Sequence, residues 1–171
     1  LKTFEQLSPT FKNDKHKNQW INDLKRYIFP KIGNTKIDQL KQMDIASFSK
    51  RMANIYTHLD FLHPFEEGNS RTLREFTREV GLAAGYDLHW EKTNTASKSR
   101  DILYIARDIA VNKMALSVEK DEYTRKEISH YLHALESMKT ISLQGIIEGN
   151  VEKLGMEKNA EMNAAEIKEK I

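Results

Sequence analysis

Glycine and proline are scarce in this chain, and this scarcity limits the folds open to it. Of its 171 residues, 7 are glycine and 3 are proline, about half the usual combined share of these two residues. A fold of many short strands needs turn residues at each hairpin, and this chain has few of them. The length suits one domain with its own hydrophobic core and room for an appendage. We therefore predict an all-α fold.

Composition excludes several classes of protein. Cysteine is absent, which rules out disulfide scaffolds, cysteine-ligated zinc and thiol nucleophiles, and is typical of a reducing compartment. Charged residues make up 30% of the chain, and no apolar run approaches the roughly 20 residues of a membrane span. Residues 1–17 contain no apolar stretch typical of a secretory signal. We expect a cytoplasmic protein without membrane association; delivery into a host cell is the alternative.

Basic charge is concentrated at the N-terminal end. The net charge is +2, from 27 Lys and Arg against 25 Asp and Glu. Residues 1–45 hold nine basic and five acidic side chains, a balance of +4, which leaves the remaining residues at −2. This asymmetry favours a weak interaction of residues 1–45 with DNA.

Apolar residues at three-to-four spacing predict several helices. The first covers residues 17–29 and ends at Pro30. The second carries a stripe and ends before Pro64, because a residue before proline disfavours helical geometry; the stripe is Phe48, Met52, Ile55, Leu59 and Leu62. After a six-residue loop, His63 to Gly68, a third helix is predicted to be capped by Asn69 or Ser70 and to stop at Gly85. Its apolar residues are Leu73, Phe76, Val80 and Ala83.

Further helices are predicted towards the C-terminus. Leu88 and Trp90 are expected to pack onto the core. Ile102, Ile105 and Ile109 predict a core-facing helix to about Leu116, and residues 123–138 predict another. From Val151 onwards large apolar residues are few, which predicts a frayed helix or a disordered tail.

Residues His63 to Arg74 read HPFEEGNSRTLR, and this stretch combines several groups that bind or process a phosphate ester. The pair Gly68-Asn69 at a helix start presents backbone N–H groups to an anion. Arg71 and Arg74 are three residues apart, so both can reach the same anion. Glu67 offers a hard oxygen ligand for Mg²⁺, and histidine is the side chain best suited to general-base chemistry near neutral pH. Taken singly, each of these residues more often belongs to a helix end, a turn or a surface ion pair. Their combination favours a site that binds a phosphate ester.

This stretch resembles the Fic motif, whose pattern is HPFx(D/E)GN(G/K)RxxR. Eleven of its twelve positions are met or unconstrained, and Ser70 is the departure. The resemblance continues on both sides, over roughly residues 46–140, through FSKRMA at 48–53 and AAGYDLHW at 83–90. It therefore covers more than the short motif.

The resemblance implies a Fic-type helical bundle that transfers AMP from ATP to a Tyr, Thr or Ser hydroxyl of a target protein. By position, His63 is the catalytic base, Phe65 anchors the loop and Glu67 holds Mg²⁺. The phosphate-binding residues implied are Gly68, Asn69, Ser70, Arg71 and Arg74. Glu66 stands at a variable position and receives no role. The acidic residue 67 followed by Gly-Asn matches the adenylylating branch of the family better than its kinase-like branch.

Two features depart from the family. The β-hairpin that aligns the target strand and its Trp-Ala-Gly stretch are not found; residues 15–45 instead resemble the helical core-binding domain of phage-type tyrosine recombinases. A substitute hairpin over residues 28–37 is the alternative. We therefore divide the chain into a recombinase-like segment (1–45), a Fic core (46–140) and a C-terminal helix and tail (141–171). The alternative function is an inactive Fic scaffold fused to a DNA-binding fragment.

The second departure from the family concerns its inhibitory helix. Many Fic proteins carry an inhibitory helix of pattern (S/T)xxxE(G/N), and residues 144–149 read QGIIEG. Glu148 and Gly149 match, but Gln144 replaces the Ser or Thr, so a solvated carboxylate at a helix end is the favoured interpretation. An antitoxin or self-association is a further expectation from the family. His130 and His133 lack a third metal ligand, and Trp20 and Trp90 are interpreted as core residues.

Overall fold

The computed structural model describes residues 36–63, 68–94 and 96–155. By its contacts the chain divides into two units, Leu1–Lys36 and Ile37–Ile171, and the second unit contains the described helices and strands. The helix predicted for residues 17–29, Trp20 and most of the alternative hairpin at 28–37 lie outside the described residues. Ile37, the last residue of that hairpin, begins a helix.

Six α-helices dominate the described part of the chain, which confirms the all-α prediction. They are α1 (Ile37–Lys41), α2 (Ile45–Leu62), α3 (Asn69–Ala83), α4 (Ser97–Val118), α5 (Glu122–Ser137) and α6 (Leu143–Asn150). Two three-residue strands, β1 (Tyr86–Leu88) and β2 (Val151–Lys153), and a 3-10 helix (Trp90–Asn94) complete the elements. None of the described helices is long and apolar enough to cross a membrane.

Helix α2 is the centre of the core. Its first turn is capped by Asp44, whose Oδ1 accepts a hydrogen bond from the Ser47 N–H at 2.7 Å, and this bond lowers the pKa of the Asp44 carboxyl. The predicted stripe is buried at Phe48, Met52, Ile55 and Leu59, and each such side chain contributes about 1.5–3 kcal/mol. The helix packs against α3, α4 and α6, so three of the other described helices surround it.

Helix α3 approaches β1 closely because Gly81 has no side chain. A Cβ at Gly81 would lie 2.4 Å from Leu88 Cδ1 and 3.0 Å from the Tyr86 carbonyl oxygen. The predicted stop at Gly85 is confirmed: its φ is 82°, and its N–H donates to the Leu82 carbonyl at 2.9 Å. Leu88 and Trp90 are buried as predicted, so the segment after α3 folds back onto the core.

The prediction of a frayed helix or tail from Val151 is wrong for the first three residues. Val151–Lys153 forms β2, which pairs antiparallel with β1 so that Leu88 lies opposite Val151 and Tyr86 opposite Lys153. The Lys153 Nζ donates to the Met43 carbonyl at 3.0 Å and lies 5.3 Å from the centre of the Tyr86 ring. These long-range contacts give order to a polar segment that has no local signal for it.

Helix α4 buries a different stripe from the one predicted. Ile102, Ile105 and Ile109 are only partly buried, whereas Leu103 and Ala106 are buried. The reason is that α4 packs against both α2 and α5, so its buried surface covers more than one apolar stripe. The helix also extends to Val118, past the predicted end at Leu116. Helix α5 matches its prediction to within one residue at each end.

Candidate active site

His63 ends α2 in a left-handed backbone conformation. Its φ and ψ are 41° and 58°, and its N–H donates to the Asp60 carbonyl at 3.1 Å. A non-glycine residue rarely adopts this conformation and keeps it only where the surrounding structure holds it. The side chain is exposed. The imidazole therefore stands at the surface end of α2, accessible to a substrate.

Six residues, 63–68, separate α2 from α3, as predicted. Gly68 precedes α3 with φ 82° and ψ 4°, a conformation that glycine adopts without steric cost. Its carbonyl accepts the Thr72 N–H at 3.0 Å and so begins the helix. The prediction that Asn69 or Ser70 caps α3 is wrong: Gly68 is the cap, and Asn69 is the first helical residue and is buried. A glycine cap has no side chain to bond the first N–H groups of the helix.

Two arginines lie in the first two turns of α3. The Arg71 Nη2 atom is 3.9 Å from the position that a Cβ would occupy on Gly68, so the guanidinium lies over the N-terminus of the helix. Arg74 is partly buried and lies close enough to Tyr56 to affect its pKa. A helix N-terminus carries a partial positive charge, which disfavours cations and favours anions. Arg71 therefore adds to a positive potential that a bound anion would relieve.

Ser70 faces a buried tyrosine of α2. Tyr56 is fully buried, and burial is the main cause that raises its pKa to about 12; the Asp60 charge adds to the rise, while Arg107, the Ser70 hydroxyl and Arg74 oppose it. Neither hydroxyl makes a hydrogen bond of standard geometry with a described residue, although the two lie close enough to interact. The position at which the sequence departs from the Fic pattern is thus a contact between α2 and α3.

A buried ion pair lies between α2 and α4 and was not predicted from the sequence. Arg107 of α4 donates from Nε to Asp60 Oδ2 at 2.9 Å and from Nη2 to Asp60 Oδ1 at 2.7 Å. The side chains are only 9% and 5% exposed. Burial works against the guanidinium charge, but the hydrogen bond to Asp60 and the nearby charges outweigh it and raise the pKa of Arg107. The sequence signal for a buried charge was Asp60, which directly follows Leu59 of the buried α2 stripe. A buried carboxylate needs a partner.

Aromatic rings surround this ion pair. The Arg107 guanidinium carbon lies 5.7 Å from the centre of the Tyr56 ring and 5.4 Å from that of Tyr104, within the range of cation–π attraction. On its other side Tyr56 contacts Trp90 at a ring separation of 5.5 Å. The Trp90 Nε1 donates to Thr77 Oγ1 of α3 at 3.2 Å. The interpretation of Trp90 as a core residue is confirmed, and the ring connects α2 with α3.

Other predicted site residues are placed as follows. Phe65, Glu66 and Glu67 lie outside the described residues, so the predicted Mg²⁺ ligand stays a prediction. Within the described ranges no group of three or more His, Cys, Asp or Glu side chains could hold a metal ion. Glu148 is exposed near the end of α6.

His130 and His133, for which surface or core packing was the favoured interpretation, are exposed on α5. The structure thus places His63 at the end of α2 and the other described site residues in the cap and first two turns of α3, namely Gly68, Asn69, Ser70, Arg71 and Arg74.

Comparisons with known proteins find similarity to two families. Residues 2–57 match the phage integrase central domain, a match that ends within α2, six residues before His63. The chain is 39% identical over 61 residues to the protein adenylyltransferase VbhT of Bartonella schoenbuchensis, covering 36% of this chain and 13% of that protein. It is 31% identical over 67 residues to the probable protein adenylyltransferase Fic of Escherichia coli, covering 36% of this chain and 34% of that protein.

The chain thus spans about a third or less of the length of these two relatives. No solved structure matches it. The chain is therefore similar to Fic protein adenylyltransferases over 36% of its length and to the phage integrase central domain over residues 2–57.

Proposed function

We propose that this chain is a protein adenylyltransferase that transfers AMP from ATP to a Tyr, Thr or Ser hydroxyl of a target protein. The observation that carries the proposal is the pairing of two features at the α2–α3 junction: an exposed histidine at the end of one helix and a glycine-capped, arginine-covered N-terminus at the start of the next. The partial similarity to two protein adenylyltransferases supports it.

The start of α3 is proposed to hold the phosphates of ATP. Gly68, Asn69 and Ser70 contribute backbone N–H groups beside the positive end of the helix dipole. Arg71 and Arg74 contribute guanidinium groups, which bind phosphate oxygens in a bidentate manner. All these groups belong to one helix and its cap, so they move together as a rigid unit.

The reaction forms one bond and breaks another. The target hydroxyl oxygen attacks the α-phosphorus of ATP, the bond from that phosphorus to the α,β-bridging oxygen breaks, and pyrophosphate leaves. His63 accepts the hydroxyl proton during attack, as a general base does. The N–H groups of α3 stabilise the negative charge that develops on the α-phosphate, and Arg71 and Arg74 stabilise the leaving pyrophosphate.

Magnesium is the metal that accompanies ATP in this proposal. The carboxylate of Glu67 has the oxygen chemistry that Mg²⁺ prefers when it also binds phosphates. Bound there, the ion would neutralise charge on the phosphates.

Replacement of the proposed base tests this function. Incubation with Mg²⁺, ATP labelled on its α-phosphate and a cell lysate is expected to label protein with the wild type and not with His63→Ala. The matched control is His130→Ala, which removes an exposed histidine on α5 and should label normally. Labelling by His63→Ala at the wild-type rate would overturn the assignment.

A second candidate function is an inactive Fic scaffold joined to a DNA-binding fragment. The match of residues 2–57 to the phage integrase central domain favours it, together with the balance of +4 in residues 1–45. Binding to duplex DNA that weakens steeply as salt is raised, with no transfer from labelled ATP, would support this function. Transfer that depends on His63 would exclude it.

A further inference from the structure

The two halves of the proposed site stand on different helices. The base, His63, belongs to the end of α2, whereas Gly68, Asn69, Ser70, Arg71 and Arg74 belong to α3 and its cap. Transfer requires the base and the phosphates to be held at a fixed separation, and a misplacement of about 1 Å can cost roughly 100-fold in rate. Some contact outside the loop must therefore relate one helix end to the other.

The Asp60–Arg107 pair has contacts towards both helix ends. Through its backbone carbonyl, Asp60 accepts the N–H of His63 and so holds the left-handed turn. Through its side chain, Asp60 is held by two hydrogen bonds from Arg107. Arg107 also lies over the ring of Tyr56. That ring contacts Trp90, whose Nε1 donates to Thr77 Oγ1 of α3.

We propose that Asp60 and Arg107 are positioning residues that set the separation between His63 and the N-terminus of α3. This inference rests on the function proposed above and adds residues to it that lie outside the Fic motif. Neither side chain touches ATP in this proposal; both act through the backbone of His63 and the ring of Tyr56. The planar guanidinium suits this task because its two parallel hydrogen bonds fix an angle as well as a distance.

Kinetics separate positioning from binding. In Arg107→Gln, the phosphate-binding groups stay together on α3, so KM for ATP should stay near the wild-type value while kcat falls roughly 100-fold. The matched control is Lys113→Gln on the same helix, which removes an exposed ion pair to Glu136 of α5 and should leave both constants unchanged. An unchanged kcat in Arg107→Gln would overturn the proposal.

The double variant Asp60→Asn with Arg107→Gln separates positioning from folding. It removes both buried charges, so its stability should recover relative to Arg107→Gln. A positioning role predicts that kcat remains low, because an amide pair lacks the charge-assisted fork of the ion pair and glutamine is shorter than arginine. A return of kcat along with stability would show that the pair only supports the fold, and would overturn the proposal.

A readout without activity keeps this inference distinct from the proposed function. Failure of the wild type to label any protein would refute the function, and the positioning contact is then measured by hydrogen exchange at the His63 amide. We expect faster exchange in Arg107→Gln and no change in Lys113→Gln. Equal exchange in the two variants would overturn the positioning role.

Discussion

Helix α4 contributes to two ion pairs with the same N–O distance, one of them buried and the other exposed. Arg107 bonds Asp60 at 2.7 Å towards the candidate site, with side chains 9% and 5% exposed. Lys113 bonds Glu136 at 2.7 Å towards α5, with side chains 58% and 44% exposed. Water screens the second pair and lets either partner remain solvated if the other is removed. The first pair has no such alternative, so burial, and not bond length, decides how much a pair matters.

The largest expected effect comes from breaking the buried pair. Arg107→Gln leaves the Asp60 carboxylate buried without its partner, which costs about 3–5 kcal/mol. Lys113→Gln should cost at most about 1 kcal/mol, since exposed pairs contribute little. Urea unfolding of both variants measures the difference. Equal losses would contradict the comparison.

The ionisation of Tyr56 tests the same contrast between buried and exposed side chains through the pH dependence of stability. The pKa of Tyr56 is raised to about 12 from 10.0, mainly by burial, so the folded state holds this proton more tightly than the unfolded state does. The stabilisation that this pKa shift contributes is fully present below pH 10. It is lost as pH rises towards 12, by up to about 3 kcal/mol. Tyr56→Phe removes this loss, and the control Tyr123→Phe, at a position 73% exposed, does not. Parallel pH curves for the wild type and Tyr56→Phe would contradict the prediction.

Two glycine substitutions compare a closely packed position with an open one. Gly81→Ala places a Cβ 3.0 Å from the Tyr86 carbonyl oxygen and against Leu88, and such overpacking costs about 1–3 kcal/mol. Gly149→Ala, in α6, meets nothing within 4 Å and should stabilise by about 0.4–1 kcal/mol, because alanine restricts the unfolded chain. Thermal unfolding should show a lower Tm for Gly81→Ala and a higher Tm for Gly149→Ala. A gain of stability in Gly81→Ala would show that α3 and β1 are not closely packed.

The smallest effect is expected at Glu148. Its carboxylate is exposed on α6, which favours a solvated side chain, and surface substitutions change stability by less than about 0.5 kcal/mol. Glu148→Gln is therefore expected to leave both stability and self-labelling by ATP unchanged. The inhibitory role suggested by the resemblance predicts the opposite for labelling. A clear rise in self-labelling would establish that role.

Most of the features that sequence could predict depend on neighbouring residues, although the predicted cap of α3 at Asn69 or Ser70 was wrong by one or two residues. The stripe of α2, the six-residue loop and the stop at Gly85 each follow from local periodicity or turn chemistry. The roles of His63 and Arg71 were predicted from the spacing of a motif and stay predictions; the structure places His63 at the end of α2 and Arg71 in the first turn of α3.

Features that depend on distant residues were missed. β2 is ordered by contacts to β1 and Met43, across more than 60 residues of sequence. The position of Asp60 beside the buried stripe marks one member of the Asp60–Arg107 pair, but its partner lies 47 residues away, and no local pattern identifies that partner. In α4, packing against α2, α5, α6 and the 3-10 helix determined which side chains are buried, and a single stripe could not represent this.

The central claim is that this junction transfers AMP and not phosphate. The direct measurement uses two samples of ATP with Mg²⁺, one labelled on the α-phosphate and one on the γ-phosphate, with the wild-type chain and a cell lysate. Relative to the same lysate with His63→Ala, which contains the same lysate kinases, the proposed mechanism predicts that the wild type adds α-label to protein and adds no γ-label. Added γ-label alone, or no added label from either sample, would contradict it.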